Sequence, residues 1–480
     1  MHSILAASGV VALGLGGHGL AQDRIDISDD GRHTIVGEPA PSEGGSIKRG
    51  TSVPFPTTPD MTLQLRRQVG GIRVADMNGD GRNDIVVGCY ISNSFPPYED
   101  WHDFILYNDY DNEPTDLGAW PVWLSDNQTH TGDVRVGEID GAPGLELVSG
   151  HGGVTSQSVR IFTGAPGGPA TTAAFVSSTP QSVWCTSALL VDLDNDSDLD
   201  LVTTNQAVSP DAFRPMYQYE NESGVMNPVP VWQSSEQSIQ GSLGAADIDG
   251  DGFMDIGVSK WVNFESGVYW NNAGTLETDQ GLFVGNTTAE RGVAMADFDG
   301  NGVPDLVVGG DPAQLYEYEG GALSSVWSSN PPFGSAAQDM VTHDFDADGD
   351  PDLAEIIFGD GRAHLYQNSG GVLDSTPTWT YDASEVGTAI AFGDINGDGR
   401  DDLVTGYSGD TSVRVFLAKA PPACLADLAE PFGILDFSDV VAFLAAFSAS
   451  DPVADLAEPM GVFDFSDVGL FLILFAGGCP

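Results

Sequence analysis

Oxygen-bearing side chains occur at fixed offsets in short segments of this sequence. In VADMNGDGRND, residues 74–84, the side chains of Asp76, Asn78, Asp80 and Asp84 hold positions 1, 3, 5 and 9 of a glycine-containing segment. Alternating side chains in a tight turn can point at one centre, and carboxylate and amide oxygens are the ligands of hard cations. The segment therefore predicts either a cation site or a polar turn between two strands.

Repetition decides between these interpretations. The full pattern occurs six times, in segments that begin at Asp76, Asp192, Asp247, Asp297, Asp344 and Asp394. A polar turn gives no reason for acidic residues to recur at these offsets. We therefore predict about six bound ions. Calcium fits better than magnesium, because it accepts six to eight oxygens in flexible geometry.

One further copy of the segment, residues 138–146, is incomplete. It keeps Glu138, Asp140 and Glu146 but has Ala142 at position 5. Ala142 removes a carboxylate, and Pro143 disturbs the turn that the other copies share. We therefore predict that this copy binds no metal.

The overall charge fits cation binding and excludes other classes of partner. The 480 residues include 17 basic and 70 acidic residues, which gives a net charge of −53. Phosphate binding needs basic stripes, so nucleic acid is an improbable partner. Such a charge destabilises a compact chain by self-repulsion, and bound cations relieve it. The hydrophobic fraction of 41% is enough for a large core.

The elements around the segments are short and rich in β-branched residues. Ile72 and Val74 precede the first segment and 85–87 follow it, which is typical of strands. A third apolar element follows, such as PMYQYEN from Pro215, and a fourth carries a tryptophan. The tryptophans of this fourth element are Trp123, Trp232, Trp327 and Trp379. Four strands in each of seven units predict an all-β fold, a seven-bladed β-propeller over 61–419.

The ends of this region predict how the ring closes. The last unit has a third strand near Val415 and Phe416 but no tryptophan strand after it, whereas MTLQLRR from Met61 is a surplus strand before the first unit. We expect Met61–Leu65 to pair beside Val415, because an open ring would expose two unpaired edges.

These repeats resemble the FG-GAP and VCBS family, the units of integrin-α-type propellers. In that family the segment joins the first two strands of a blade and binds calcium. The resemblance implies side-chain ligands at positions 1, 3, 5 and 9 and a backbone carbonyl at position 7. The implied ligands are Asp76, Asn78, Asp80, Arg82, Asp84, Asp192, Asp194, Asp196, Asp198, Asp200, Asp247, Asp249, Asp251, Phe253, Asp255, Asp297, Asp299, Asn301, Val303, Asp305, Asp344, Asp346, Asp348, Asp350, Asp352, Asp394, Asn396, Asp398, Arg400 and Asp402.

Both ends of the chain differ from the repeats. Residues 1–21 are apolar and end in small residues, as in a secretory signal, which predicts a secreted or surface-displayed protein; 22–60 is a linker. Residues 424–480 contain two copies of one pattern, ADLAEPFGILDFSDVVAFLAAF and ADLAEPMGVFDFSDVGLFLILF. Each copy reads as an acidic loop that leads into an amphipathic helix.

The C-terminal repeats resemble the dockerin family, and in particular its variant that ends in Gly-Cys. The resemblance implies calcium and a cohesin-like or cell-surface partner. The loop DLAEPFGILDFSD is one residue longer than a dockerin loop, and Ala429 stands where that family has Asn. Calcium binding and a purely structural helical hairpin both remain open for 424–480. Cys424 and Cys479 bracket the module, and a disulfide between them would contribute about 4 kcal/mol. The pairing of Cys89 and Cys185 is left open.

Catalytic motifs are scarce. The sequence has no H-E-x-x-H or G-x-S-x-G segment, and its eight histidines are scattered. His151 fits a turn better than a site on the central face. The preferred interpretation is a non-enzymatic, calcium-binding propeller for adhesion to, or binding of, an extracellular protein or glycan. The alternative is a polysaccharide lyase or hydrolase, for which Arg73, Arg160 and Lys260 are the candidate cations.

Overall fold

The computed structural model describes most of the predicted propeller and part of the C-terminal module. The described residues are 53–64, 67–90, 102–126, 130–152, 159–179, 183–207, 213–261, 265–284, 290–330, 334–419, 426, 428, 435, 437–449, 454 and 465–477. They form 28 β-strands and two α-helices. The predicted signal peptide 1–21 and most of the predicted linker 22–60 lie outside them.

Twenty strands form five separate four-stranded sheets, which are blades of a propeller. Each sheet is an antiparallel meander in which strands pair in chain order. The strands of these blades are β6 (His130–Gly137), β7 (Glu146–Gly152), β8 (Val159–Phe162) and β9 (Phe175–Val176); β10 (Val183–Val191), β11 (Asp200–Ala207), β12 (Tyr217–Tyr219) and β13 (Trp232–Gln233); β14 (Gln240–Ala246), β15 (Asp255–Lys260), β16 (Gly267–Tyr269) and β17 (Leu282–Phe283); β18 (Gly292–Ala296), β19 (Asp305–Gly309), β20 (Gln314–Glu319) and β21 (Ala322–Ser328); and β22 (Ala337–His343), β23 (Asp352–Ile357), β24 (Arg362–Tyr366) and β25 (Trp379–Asp382).

The other eight strands form one continuous sheet. They are β1 (Met61–Leu63), β2 (Arg67–Ala75), β3 (Asp84–Tyr90), β4 (Phe104–Leu106), β5 (Val122–Leu124), β26 (Val386–Gly393), β27 (Asp402–Gly409) and β28 (Val413–Phe416). Two four-stranded meanders, β2-β3-β4-β5 and β26-β27-β28-β1, are joined where Arg67 pairs with Gly409 and Gln68 with Ser408. The prediction of seven separate blades is thus wrong. In the described part of the chain, five blades stand alone and two meanders merge, because β2 and β27 approach within pairing distance.

Pairing of the N-terminal strand beside Val415 is confirmed for Met61–Leu63, whereas Leu65, the predicted end of this strand, lies outside the described residues. Met61 pairs with Val415 and Leu63 with Val413, in antiparallel register. Both Met61 and Leu63 are buried. The strand adds a fourth member to a meander whose other three strands come from the end of the repeat region, so β28 is not left as an open edge.

The tryptophans of the fourth strands pack between meanders. Each lies edge-on to an aromatic ring on the third strand of the next meander, with centroids 5.2 to 6.1 Å apart and planes at 86° to 87°. The pairs are Trp123–Phe162, Trp232–Tyr269, Trp327–Tyr366 and Trp379–Phe416. Edge-to-face pairs add about 0.5–1.5 kcal/mol beyond the area that they bury. Trp184 differs, because it lies on the first strand of its blade, β10.

The C-terminal segment contains the two predicted helices, α1 (Phe437–Ala449) and α2 (Phe465–Gly477). The rings of Phe443 and Phe471 stack at 4.0 Å over a small buried cluster. Two helices do not by themselves establish a dockerin-like module. No helix in the described part of the chain is long and apolar enough to cross a membrane.

Two of the four cysteines lie among the described residues and two do not. Cys424 and Cys479 lie outside the described residues, so their disulfide remains a prediction. Cys89 and Cys185 are buried thiols. The Cys185 sulfur lies 3.3 Å from the Ser187 carbonyl, and burial raises the pKa of this thiol well above its usual value.

Candidate functional site: acidic loops and an axial cavity

We use the name acidic loops for the seven nine-residue segments 76–84, 138–146, 192–200, 247–255, 297–305, 344–352 and 394–402. Each joins the first and second strands of its meander, as the resemblance implied. Positions 4 and 6 of the six complete loops have positive φ angles. Glycine holds most of these positions, but Asn195, Ser197 and Ala347 adopt the same conformation. Two residues in the left-handed conformation within a segment of nine curl the backbone around its own side chains.

The first aspartate of a complete loop organises this curl. Asp247 Oδ1 accepts hydrogen bonds from the amides of Gly250 (2.9 Å) and Asp251 (3.0 Å), and its Oδ2 accepts one from Gly252 (2.9 Å). Asp249 Oδ1 accepts from Asp251 at 3.1 Å. The side chains at positions 1 and 3 therefore point into the loop.

This geometry brings carboxylates together. One oxygen from each of three acidic residues lies within 4.8 Å of the others in five of the loops. Two ligands of a calcium ion, each about 2.4 Å from it, are at most about 4.8 Å apart. The clusters are Glu138, Asp140 and Glu146; Asp192, Asp194 and Asp196; Asp247, Asp249 and Asp251; Asp297, Asp299 and Asp305; and Asp344, Asp346 and Asp348. Their oxygens fit a hard divalent cation, and the first and last loops replace one carboxylate by Asn78 and Asn396.

The clustered carboxylates repel each other. Burial, followed by the charge of Asp348, raises the pKa of Asp346 to about 7. Burial and the neighbouring Asp196 raise the pKa of Asp194, and burial raises that of Asp344. A cation would relieve both causes, because it favours the ionised form and replaces lost solvation.

The aspartate at position 9 has a different environment. Asp84 is fully buried; its Oδ2 accepts from the Met77 amide (3.0 Å) and its Oδ1 from the Asn108 amide (2.8 Å). Burial raises its pKa to about 7. The position-9 aspartates of other loops also accept hydrogen bonds from backbone amides. Asp305 is the one position-9 aspartate that belongs to a carboxylate cluster named above. The position-9 aspartate thus ties the loop to the third strand, and its role as a ligand remains a prediction.

Position 7 was expected to supply a backbone carbonyl from Arg82, Asp198, Phe253, Val303, Asp350 and Arg400. The structure shows two of these side chains turned to carboxylates. Arg82 pairs with Asp111, and Arg400 Nη2 donates to Asp398 Oδ2 at 2.6 Å. The carbonyl ligation stays a prediction.

The incomplete loop 138–146 departs from the others at position 6. In the complete loops the amide there donates to the first aspartate, as Gly302 does to Asp297 at 2.7 Å. Pro143 has no amide hydrogen to donate. Glu138, Asp140 and Glu146 nevertheless converge, which the argument from Ala142 did not anticipate. The prediction that this loop is metal-free stays open.

An asparagine after the third strand was overlooked in the sequence, although it recurs there. Asn271 Nδ2 donates to the carbonyls of Leu193 (2.7 Å) and Met254 (3.1 Å), and so joins its own blade to the preceding one. Asn108, Asn221 and Asn368 make the same link to the preceding meander, through the carbonyls of Ile395, Ile139 and Phe298. The signal was visible in YQYEN, YWNN and LYQN.

The other end of the first strands surrounds a cavity of about 330 Å³. We call it the axial cavity, because the first strands of all meanders, or the residues just before them, contribute to its wall. Its wall residues are Gln68, Val69, Gly70, Gly71, Tyr90, Gly132, Asp133, Trp184, Thr186, Ser187, Gln206, Gln240, Gly241, Ser242, Trp261, Arg291, Gln338, Asp339, Phe358, Val386, Thr388 and Ser408. Each first strand runs from this cavity to its acidic loop, so the two sites are roughly 20 Å apart along a strand.

Among the described residues, Arg291 is the one cation in the wall of the axial cavity. Its guanidinium lies between the rings of Trp261 (3.7 Å to the centroid) and Phe358 (3.9 Å). Nη1 donates to Gln338 Oε1 at 2.7 Å. Burial lowers the pKa of Arg291 to about 10, which leaves it charged at neutral pH. Arg291 was not singled out from the sequence, although it is one of only 17 basic residues.

The cations that the sequence suggested for a lyase do not line the cavity. Arg73 Nη2 lies 3.3 Å from Asp133 Oδ1, and Lys260 Nζ contacts Glu236 and Gln280. Arg160 lies on β8. His151 is buried on β7 rather than in a turn, and burial lowers its pKa to about 3.

Comparison with known proteins supports the repeat and the fold. A family model described as an FG-GAP-like repeat matches residues 344–405, which span the sixth and seventh acidic loops. The chain thus contains an FG-GAP-like repeat in a β-propeller arrangement. The search of curated proteins gave no match.

Two similar solved structures are both crystal structures of BBS1N in complex with ARL6DN, soaked with mercury or with lead. The first is 12% identical with a TM-score of 0.49 and covers 76% of this chain and 95% of that chain. The second is 11% identical with a TM-score of 0.48 and covers 77% and 97%. Values this low carry no argument about function.

Proposed function

We propose that this protein is a calcium-stabilised, extracellular propeller that binds a protein or glycan ligand and is attached through its C-terminal module. The single observation that carries the calcium part is the repeated convergence of carboxylate oxygens within 4.8 Å in the acidic loops. Burial and, after it, the charge of Asp348 raise the pKa of Asp346, and a cation bound in this cluster would relieve both effects, which supports the proposal. About six ions are proposed, one in each complete loop.

The remaining parts rest on other features. The apolar segment 1–21 supports export. The paired helices α1 and α2 support a dockerin-like attachment. In the first turn of α1, Asp439 accepts a hydrogen bond from the Leu428 amide at 2.7 Å. A binding role is favoured over a lyase, because Arg73 and Lys260 are engaged by internal partners. The integrin-α-like variant of the family is part of this proposal.

The test is thermal unfolding of the purified protein in millimolar calcium, millimolar magnesium or chelator, together with metal counting after desalting. A ligand that binds only the folded state stabilises it by about 2.7 kcal/mol at 100 times its Kd. We expect the highest melting temperature in calcium, a smaller rise in magnesium and about six calcium ions per chain. The same melting temperature in all three solutions would refute calcium binding.

A further inference from the structure

The wall of the axial cavity has a backbone feature that six of the first strands share. The register of each shifts near its cavity end, between Val69 and Gly71, Thr131 and Asp133, Cys185 and Ser187, Gln240 and Leu243, Ala337 and Asp339, or Gly387 and Ala389. Every residue that these shifts leave out of the ladder lines the cavity: Gly70, Gly132, Thr186, Gly241, Ser242, Gln338 and Thr388. Bulges re-aim backbone and side chains and are over-represented beside binding sites.

The remaining first strand, β18, has no such shift and contributes the cation instead. Arg291 precedes β18, and its carbonyl accepts from the Ser242 amide at 2.8 Å. The backbone is therefore fixed to the neighbouring blade while the side chain enters the cavity wall. Gly241 permits this approach, because a Cβ there would lie 2.5 Å from the Arg291 carbonyl.

Most N–H donors of the Arg291 guanidinium have no acceptor among the described residues. A guanidinium carries five N–H donors, and the described residues supply one hydrogen-bond acceptor, Gln338 Oε1. No carboxylate of the described residues forms an ion pair with it. The two aromatic rings hold its plane, which is the arrangement in which arginine recognises a carboxylate by two parallel hydrogen bonds.

Apart from Asp133 and Asp339, the rest of the wall combines neutral polar groups with aromatic faces and aliphatic groups. Gln68, Gln206 and Ser408 offer amides and a hydroxyl. The Thr388 hydroxyl is buried and has no hydrogen-bond partner among the described residues. Tyr90 and Trp184 stack at 5.2 Å on the same wall. Hydroxyl-rich ligands suit neutral donors and acceptors, and their C–H faces suit aromatic rings.

The charge of the wall restricts the ligand further. Asp133 and Asp339 also line the cavity, and Asp133 is already paired with Arg135 Nη1 at 2.6 Å. A wall with one cation, in a chain of net charge −53, does not suit a phosphate or a polyanion. A ligand with a single carboxylate and an otherwise neutral, hydroxylated structure does suit this wall. The cavity volume lies at the lower end of the 300–1,000 Å³ typical of small-molecule sites.

We propose that the axial cavity binds the uronic-acid end of a saccharide, with its carboxylate on Arg291 and its hydroxyls on the surrounding amides and hydroxyls. This assignment rests on the proposed ligand-binding function and names the ligand class for it. Calcium in the acidic loops stabilises the ring but takes no part in the contact.

The test is isothermal titration of the full chain, in calcium, with D-glucuronic acid, D-galacturonic acid, their methyl esters and D-glucose. We expect saturable binding of at least one acid, and at least tenfold weaker binding of its ester and of glucose. The ester keeps the shape and removes the charge, so this comparison needs no variant. Absence of saturable binding by either acid, or equal binding of acid and ester, would overturn the assignment.

A pair of variants locates the site. Arg291→Gln is expected to weaken binding of the acid at least tenfold. Arg362→Gln, whose side chain pairs with Asp360 and Asp382 away from the cavity wall, is expected to leave it unchanged. Thr388→Val, nearly isosteric, is expected to weaken binding severalfold and keeps the test valid if Arg291→Gln does not fold. Equal affinities for wild type, Arg291→Gln and Thr388→Val would place the ligand elsewhere.

The two proposals fail separately. Loss of the uronic-acid signal with calcium-dependent melting retained would overturn only the ligand assignment. A melting temperature that does not respond to calcium would overturn the calcium part of the proposed function, whatever the titration with saccharides shows.

Discussion

The two ends of the first strands follow different rules. At the loop end, the same residue types occupy the same positions in meander after meander, and Asp247 and Asp297 receive matching amide hydrogen bonds. At the cavity end, the backbone shift repeats but the side chains do not, so that Gly132, Thr186 and Gln338 occupy equivalent positions.

This difference reflects what each end has to do. An acidic loop is formed by contacts within nine residues, and six of the seven meanders form it with the same residue types. The cavity is shared by the whole ring, so an identical side chain from each meander would give a symmetric wall. A small ligand is not symmetric, and a single arginine among varied side chains matches that requirement. Under the two proposals, repetition marks the end of the ring that calcium stabilises, and departure from repetition marks the end that binds the ligand.

The largest effect is expected from opening the ring, on which both ends depend. Deletion of 61–64 removes two buried side chains and leaves β28, which still pairs with β27, as an open edge. We expect loss of cooperative melting together with loss of calcium-dependent stabilisation, measured by calorimetry with and without chelator. Thr62→Ala, at the half-buried position of the same strand, is the control and should change little. Cooperative melting of the deletion variant at the wild-type temperature would contradict this account of closure.

A smaller effect is expected from one link between blades at the loop end. Asn271→Ala leaves the Leu193 and Met254 carbonyls without their side-chain donor. An unsatisfied buried polar group costs about 1–3 kcal/mol, so we expect a loss of about 2 kcal/mol in the free energy of unfolding. Asn272→Ala, on the exposed neighbour that contacts Glu277, should stay within about 0.5 kcal/mol of wild type. Equal losses for the two variants in urea unfolding would show that the link has no special weight.

The smallest effect is expected from a single predicted ligand, and it sharpens the comparison between loops. Asp249→Ala should reduce calcium-dependent stabilisation by about 1–2 kcal/mol, since one site of about six is weakened. Asp140→Ala is the matched change in the incomplete loop, where Pro143 replaces an amide donor. We expect it to leave the calcium response unchanged. A loss as large as that of Asp249→Ala would show that 138–146 also holds a cation.

The sequence predicted those features that lie within a few residues of each other. Offsets within a loop, the strands around it and the tryptophan on the fourth strand follow from local pattern. The loop that contains Asp76 and the fourth strand that contains Trp232 were therefore predicted correctly, whereas the role of Asp76 as a ligand stays a prediction. The pairing of Met61 with Val415 was also predicted, because counting strands revealed one missing and one surplus.

Other features depend on contacts between distant segments. The joining of two meanders depends on Gln68 meeting Ser408, a pairing that no local pattern encodes. The axial cavity depends on register shifts, which become visible only when two strands are aligned. The convergence of Glu138 with Asp140 and Glu146 depends on how the loop curls, and a count of ligands did not reveal it.

The position of the closing strand has a mechanical consequence. Met61 pairs with Val415, so the chain enters the ring beside the point where it leaves after Phe416. Tension between the two ends of the propeller therefore acts across β1 and β28 and peels their hydrogen bonds apart one after another instead of loading them together. A molecule tethered at its C-terminus and pulled from the N-terminal side would open at this seam first. The repeat region as a whole would resist stretching only as strongly as this short seam does, which comprises β1, the hydrogen bond from the Lys419 amide to the Pro54 carbonyl and the buried ring of Phe55.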